Sequence, residues 1–95
     1  MILYFTKHAL QRMHERNIFE EDVESVITHG EIINEYPNDT PYPSYLVLLI
    51  IAEKPIHVVY SIYNTGDEKH CYIITVYNPS PDEWKDDYKT RRTEI

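Results

Sequence analysis

The sequence predicts a small α+β domain, with two N-terminal helices on a four-stranded antiparallel sheet and a short C-terminal helix after the last strand. Three observations predict this class. Apolar residues recur at helical spacing in the first 30 residues, extended segments rich in Val, Ile and Tyr follow, and the connections between those segments are short. Helices that are segregated from an antiparallel sheet form a two-layer α+β fold. At 95 residues, the chain is expected to form one domain over residues 1–95.

Both helices carry sequence signals at their ends. The first is predicted over residues 6–16, with Thr6 as its N-cap. Its apolar face is expected to consist of Ala9, Leu10 and Met13. The second is predicted over residues 20–29, because three acidic residues open it at the positive end of the helix dipole and Gly30 follows its last turn.

Four strands are predicted after Gly30. They are Glu31–Tyr36, Tyr45–Ala52, Ile56–Tyr63 and Cys71–Tyr77. The proline-rich segment 37–43 between the first two is expected to be an exposed loop, and the short later connections predict an antiparallel meander. The remainder of the chain, from Asn78 on, is expected to end as the short C-terminal helix and a frayed tail, with Trp84 as a plug on the core.

The charge is distributed unevenly along the chain. Residues 1–17 carry three basic and one acidic side chain (+2), residues 18–54 one and eight (−7), and residues 55–95 five and seven (−2). The net charge of −7 argues against indiscriminate nucleic-acid binding, because phosphate neutralisation by Lys and Arg supplies most of that affinity. A basic first helix and a basic end could still face a polyanion on one side.

The cellular compartment is expected to be the cytoplasm. The single cysteine, Cys71, excludes an internal disulfide framework, and the N-terminus lacks the apolar core of a signal peptide. The longest apolar stretch, residues 46–52, is far shorter than the roughly 20 residues that a membrane helix needs, so no membrane contact is expected.

The first helix carries the most suggestive chemical pattern. His8, Arg12 and Arg16 are spaced i, i+4, i+8, so they form a ridge along the edge of the apolar face. Two arginines suit a phosphodiester, and a histidine can transfer a proton near neutral pH. These are the parts that metal-free RNA cleavage needs. The alternative is an ordinary amphipathic helix whose arginines pair with acids such as Glu15.

Other candidates are weaker. Tyr77 ends the last predicted strand, with Ile73 and Thr75 expected on the same face, and its hydroxyl could transfer a proton or its ring could stack on a base. His57 and His70 lie in predicted strands and give no zinc-ligand spacing with Cys71. The chain also has no glycine-rich phosphate loop. Neither a metal nor an organic cofactor is expected.

The run KHALQRMHERNI from Lys7 to Ile18, an acidic helix start, a hydrophobic meander and a late Thr-Val-Tyr before Pro79 and Trp84 form a combined pattern. This pattern resembles an uncharacterised family of small prokaryotic domains with the opening H-A-x-x-R-M-x-x-R-x-I. That family is similar to the Barnase–EndoU–Colicin–RelE group of metal-independent ribonuclease folds, which includes many toxins of toxin–antitoxin pairs.

The resemblance implies an RNase-like toxin that acts on RNA and binds an antitoxin-like protein. It places His8, Arg12, Arg16 and Tyr77 at the functional positions. The chain departs from the family pattern in two respects. Phe19 stands where a Ser or Thr helix cap is usual, and the net charge is acidic although RelE-like toxins are typically basic.

Three functions therefore remain open at the level of sequence. The first is a small endoribonuclease, in which His8 transfers a proton, Arg12 and Arg16 hold the phosphate, and Tyr77 is a second acid or base. The second is a non-catalytic module that docks an acidic partner on the same ridge or accepts a peptide strand at the sheet edge. The third is a homodimer joined through apolar strand surface.

Overall fold

The computed structural model describes residues 1–93, so the last two residues of the predicted 1–95 domain lie outside it. Within this range the chain forms two helices and five strands. In chain order they are β1 (Ile2–Phe5), α1 (Lys7–Arg16), α2 (Glu20–His29), β2 (Glu31–Tyr36), β3 (Ser44–Ile51), β4 (Lys54–Thr65) and β5 (Glu68–Tyr77). All five strands belong to one sheet, in the order β1-β5-β4-β3-β2.

Helix α1 begins and ends as its sequence predicts. The hydroxyl of Thr6 accepts a hydrogen bond from the backbone N–H of Ala9 at 3.0 Å, which caps the first turn. Ala9 and Met13 are buried, but Leu10 is 47% exposed. The expectation that Leu10 belongs to the buried face is therefore wrong, because α1 is rotated so that its other edge, which carries His8 and Arg12, lies towards the sheet.

Helix α2 begins without a side-chain cap. Phe19 occupies the N-cap position, and its backbone N–H donates to the carboxylate of Asp22 at 2.9 Å. This bond supplies half of a capping box and replaces the missing hydroxyl. Gly30 ends the helix in an extended conformation (φ −75°), where a Cβ atom would lie 2.6 Å from Cγ1 of Val47. The glycine is thus required by close packing of α2 on β3.

The sheet differs from the predicted one. Strands β2 to β5 form an antiparallel meander, but β1 adds a fifth strand that pairs in parallel with β5, from Ile2 opposite His70 to Phe5 opposite Ile73. The prediction of four purely antiparallel strands is wrong. A four-residue strand is too short to show a period, and its partner lies more than 65 residues away, so local pattern gives no signal for it.

The prediction of a short C-terminal helix is also wrong. The terminal segment (residues 79–92) consists of turns and one isolated antiparallel bridge between Trp84 and Arg91, and residues 78–93 contain no helix. Asp87 accepts hydrogen bonds from the backbone N–H groups of Lys89 and Thr90 at 2.9 and 3.0 Å, a local pattern that competes with helix formation. Two prolines at the start of the segment also disfavour a helix.

Both faces of the sheet are covered in part. The two helices pack on one face, over a core that includes Val58, Ile73 and Val76. On the opposite face the terminal segment covers one end of the sheet, and Trp84 is 4% exposed there, in the plug role that its sequence context predicts. In the described part of the chain, no helix is long and apolar enough to cross a membrane.

Candidate functional site

A bulge in β5 sets the position of the candidate site. Thr75 pairs with Val59 and Ile73 with Tyr60, so Ile74 is an extra residue between them. Ile73 and Val76 therefore both point into the helix-side core, whereas Tyr77 pairs with His57 on the opposite face. The expectation that Ile73 shares a face with Thr75 and Tyr77 is wrong, because it assumed unbroken alternation along the strand.

Helix α1 lies beside the same stretch of β5. The pairing of β1 with β5 ends at Ile73, and the hydroxyl of Thr6 donates to the carbonyl of Ile74 at 3.1 Å, which holds the start of α1 next to the bulge. Two residues later, in the first turn of α1, Nε2 of His8 lies 3.1 Å from Oγ1 of Thr75, within hydrogen-bond distance. The bulge thus brings the end of β5 to the ridge of α1.

The four residues that the sequence singles out meet at one cavity. Its volume is about 440 Å³, and its lining includes His8, Arg12, Arg16 and Tyr77. Thr75 and, from the terminal segment, Arg91 and Trp84 also line it. Residues from the first helix, the last strand and the terminal segment therefore face a single volume that is large enough for a phosphodiester and part of a nucleotide.

The cavity is rich in cations, two of which have acidic partners. Arg12 pairs with Glu15 along the helix at 3.2 Å, as the amphipathic-helix alternative anticipates. Both partners are more than 40% exposed, so the pair is weak and open to exchange. Arg91 lies 3.6 Å from Glu83, and its guanidinium carbon is 4.7 Å from the centre of the Trp84 ring. Arg16 has no ion pair among the described residues.

Tyr77 is hydrogen-bonded away from the cavity. Its hydroxyl lies 3.1 Å from Nδ1 of His57, whose Nε2 lies 2.7 Å from the carbonyl oxygen of Tyr88. A carbonyl can only accept, so Nε2 carries the proton of the neutral imidazole and donates it to Tyr88. Nδ1 is then an acceptor, and the Tyr77 hydroxyl donates to it. The free lone pairs of the tyrosine oxygen remain for a ligand.

Burial determines the protonation of this pair. His57 is fully buried, and Trp84 packs edge-on against it with ring centres 4.6 Å apart. Desolvation lowers the pKa of His57, although the bond to Tyr88 opposes this change, so the imidazole is neutral at pH 7. Desolvation also raises the pKa of Tyr77, with an opposing contribution from Arg91, so the hydroxyl keeps its proton.

Sequence reasoning missed several residues of this site, three of which bear directly on its chemistry. Thr75 and Arg91 line the cavity, and His57 lies behind Tyr77. The sequence carries a partial signal for His57: an imidazole within a run of Ile and Val on a predicted strand must find polar partners if it is buried. Its partners, Tyr77 and Tyr88, are 20 and 31 residues away, so the pattern alone could not identify them.

A second cavity of about 420 Å³ lies further along the sheet, beside the proline-rich loop. Tyr42, Tyr72 and Ile74 line it, and Asp39 is its one charged lining residue. This volume offers apolar contact without a cation. In residues 1–93, no group of three His, Cys, Asp or Glu side chains is arranged to hold a metal ion. The polar cavity at α1 is therefore the better candidate for acid–base chemistry.

Comparison with known proteins gives one family. A search of curated proteins and a search of solved structures each returned no match to this chain. A family model does match, over residues 5–78, a range that contains His8, Arg12, Arg16, His57, Thr75 and Tyr77. The terminal segment, with Trp84 and Arg91, lies beyond the matched range. The chain belongs to the family described as Domain of unknown function (DUF4258).

Proposed function

We propose that this protein is a metal-independent endoribonuclease of the RelE-like kind. The observation that carries the proposal is the shared cavity of His8, Arg12, Arg16 and Tyr77. The first three come from one helix, but Tyr77 follows more than 60 residues later, and the β5 bulge is needed to bring it there. The opening motif resembles an uncharacterised family that is itself similar to the ribonuclease toxins, and this resemblance supports the same function.

The reaction would be transfer of the phosphodiester to the neighbouring ribose 2′-oxygen. The 2′-hydroxyl loses its proton and attacks phosphorus, and the bond from phosphorus to the 5′-oxygen breaks as that oxygen gains a proton. The products are a 2′,3′-cyclic phosphate and a 5′-hydroxyl. In the proposed reaction His8 and Tyr77 move these protons, and Arg12 and Arg16 stabilise the extra negative charge on the phosphoryl oxygens.

The acidic net charge is compatible with this proposal because of where the charges lie. The chain carries −7 overall, but the cavity is lined by three of its nine basic residues, Arg12, Arg16 and Arg91, and by one acid, Glu83. The middle segment, residues 18–54, holds eight of the acids. Local cations at the cavity determine binding of one phosphodiester, whereas the net charge mainly limits long-range attraction of RNA. We therefore expect binding of a short single-stranded segment.

The direct test is RNA cleavage by the purified full chain in the presence of EDTA. The substrate is a mixed-sequence single-stranded RNA, and the control is the same oligonucleotide with 2′-deoxyribose throughout. The wild type should leave 2′,3′-cyclic phosphate ends on the RNA and leave the control intact. His8→Ala should lower the rate about 10²- to 10⁴-fold, the usual contribution of a general acid or base.

His14→Ala is the matched control, because His14 is an exposed histidine on the same helix that does not line the cavity. The His14→Ala variant should cleave RNA at the same rate as the wild type. Growth arrest on expression of the wild type but not of His8→Ala is the expected result for a toxin. A wild type that cuts no RNA contradicts the proposal, and RNA binding without cleavage would favour the non-catalytic module.

A further inference from the structure

The buried histidine behind the cavity has no role in the reaction as described above. We propose that His57 acts through Tyr77 as the store for the proton removed from the ribose 2′-hydroxyl. In this arrangement Tyr77 is the base of the site and His8 is its acid. The inference rests on the proposed ribonuclease function and assigns a direction to its two proton transfers.

The hydrogen bonds specify that direction. The Tyr77 hydroxyl donates to Nδ1 of His57 at 3.1 Å, and Tyr77 lines the cavity, so the remaining lone pairs of its oxygen are what this hydroxyl can offer to a ligand. Such an oxygen accepts a proton from a 2′-hydroxyl but has none to offer a leaving group. His8 has only the Thr75 hydroxyl as a hydrogen-bond partner among the described residues, so it can exchange protons with the cavity and with solvent.

Tyr77 needs a second group in order to act as a base. Burial raises the pKa of Tyr77, so a phenolate is scarce at neutral pH. A tyrosine that passes its own proton to a neighbour as it accepts another never becomes a phenolate. His57 is suited to receive that proton, because burial lowers its pKa and keeps Nδ1 unprotonated, while the Tyr88 carbonyl at 2.7 Å stabilises the imidazolium once it forms.

The proton movements balance without any further reagent. The 2′-hydroxyl proton moves to the Tyr77 oxygen, the tyrosine proton moves to Nδ1 of His57, and the 2′-oxygen forms its bond to phosphorus. The bond from phosphorus to the 5′-oxygen breaks, and His8 in its imidazolium form protonates the departing oxygen. After the products leave, His57 returns a proton through Tyr77 to solvent, and His8 takes one up.

The charged and titratable groups around the pair come from three elements. Tyr36 of β2 and Glu83 of the terminal segment raise the pKa of Tyr77, and Arg91 lowers the pKa of both Tyr77 and His57. Across the cavity are the ridge residues of α1, namely His8, Arg12 and Arg16. Arg91 therefore favours release of the stored proton, which helps the site to reset after each turnover.

Two substitutions of His57 separate proton storage from simple positioning. In His57→Asn, the side-chain oxygen occupies the place of Nδ1 and can accept from Tyr77, but it does not take up a proton near neutrality. In His57→Gln, the amide can donate to the Tyr88 carbonyl in place of Nε2. If His57 stores the proton, both variants should cleave at least 100-fold more slowly than the wild type. If it only orients Tyr77, Asn should restore most of the rate.

The readouts are the cleavage rate from pH 4.5 to 9, the thermal midpoint and the affinity for a non-cleavable RNA with 2′-deoxyribose at the scissile position. The wild-type profile should be a bell whose acidic limb reports His57, and that limb should be missing from the residual activity of both variants. Affinity should change less than threefold. His70→Gln, a histidine of β5 outside the cavity, is the control and should keep the wild-type profile.

Nitrogen NMR of the wild-type imidazoles supplies a measurement that needs no variant. At pH 7, His57 should show a protonated Nε2 and an unprotonated Nδ1. The opposite tautomer, or an imidazolium at pH 7, overturns the inference, as does wild-type activity in His57→Asn. In these cases the ribonuclease proposal survives if the wild type cleaves RNA. A wild type that never cleaves RNA overturns both.

Discussion

Removal of the Trp84 side chain is the strongest test of how the terminal segment supports the site. Trp84 is 4% exposed and packs edge-on against His57, with ring centres 4.6 Å apart. The guanidinium carbon of Arg91 lies 4.7 Å from the centre of the Trp84 ring. Replacement of a buried Trp by Ala costs about 3–5 kcal/mol. The terminal segment contains no helix and can relax, so we expect Trp84→Ala to lower the free energy of unfolding by about 3 kcal/mol.

A loss of this size is a large share of the total stability of a small domain, which is about 5–15 kcal/mol. Because about 1 kcal/mol moves the midpoint of a domain of this length by roughly 4–8 °C, the thermal midpoint should fall by roughly 12–24 °C. Urea unfolding gives the free energy directly. Trp84→Phe is the matched control: it keeps an aromatic ring over His57 and should lose about half as much stability.

The same substitution should change the protonation of His57. Trp84 contributes to the burial that lowers the pKa of this imidazole, so water that enters in Trp84→Ala should raise the pKa towards 6.5. An NMR titration of the wild type and the variant measures this change. A stability loss below about 1 kcal/mol together with an unchanged His57 pKa would refute the idea that the terminal segment is a packed cover.

Three further predictions concern other parts of the molecule. Glu15→Gln removes the acid that pairs with Arg12 at 3.2 Å, so affinity for a non-cleavable RNA should rise about twofold at 0.15 M salt, in line with the ~0.3–0.5 kcal/mol of such a pair. Fluorescence anisotropy measures this affinity, and equal affinities would contradict the placement of RNA on this ridge. The folded-state pKa of His57 lies below its unfolded value of 6.5, so the unfolded chain binds more protons and the free energy of unfolding decreases as the pH falls below 6.5. Urea unfolding at pH 7.5 and 5.5 should show a smaller decrease in this free energy for His57→Asn than for the wild type, and equal decreases would argue against the lowered pKa. The β3–β4 turn holds Ala52 and Glu53 at φ 50° and 69°, a conformation that Asn and Gly adopt more readily, so the double substitution Ala52→Asn and Glu53→Gly should stabilise the protein by about 1 kcal/mol. A thermal melt measures this change, and a lower midpoint would show that the original side chains make contacts that outweigh the strain.

The parts of the fold that follow from local pattern were predictable from the sequence. Both helices begin and end where the caps and the apolar period place them, since Thr6 and Gly30 act on their own turns. The fifth strand was not predictable, because β1 depends on a parallel partner at the far end of the chain. The terminal segment is not a helix for different reasons: Trp84 is held by tertiary contacts, and its neighbours bond locally in turns.

The candidate site shows a similar division between local and long-range information. The helical repeat identified the ridge of α1, because i, i+4 spacing fixes which side chains align. It also placed Leu10 on the wrong side, since the repeat defines a stripe but not its rotation relative to the sheet. A single extra residue, Ile74, turns Tyr77 from the helix-side core to the cavity, and no feature of the sequence marks a bulge at that position.

The boundary of the family match divides the residues of the candidate site into two groups. The matched range, residues 5–78, contains every group proposed to transfer a proton: His8, Tyr77 and His57. The terminal segment beyond it contributes the burial of His57, the Tyr88 carbonyl that fixes its tautomer, and Arg91. The three proton-transfer groups therefore lie within the matched range, while contacts that set the pKa of His57 come from the segment outside it. A change confined to that segment, such as Trp84→Ala, should shift the acidic limb of the cleavage profile towards higher pH, although it alters none of the groups that exchange protons.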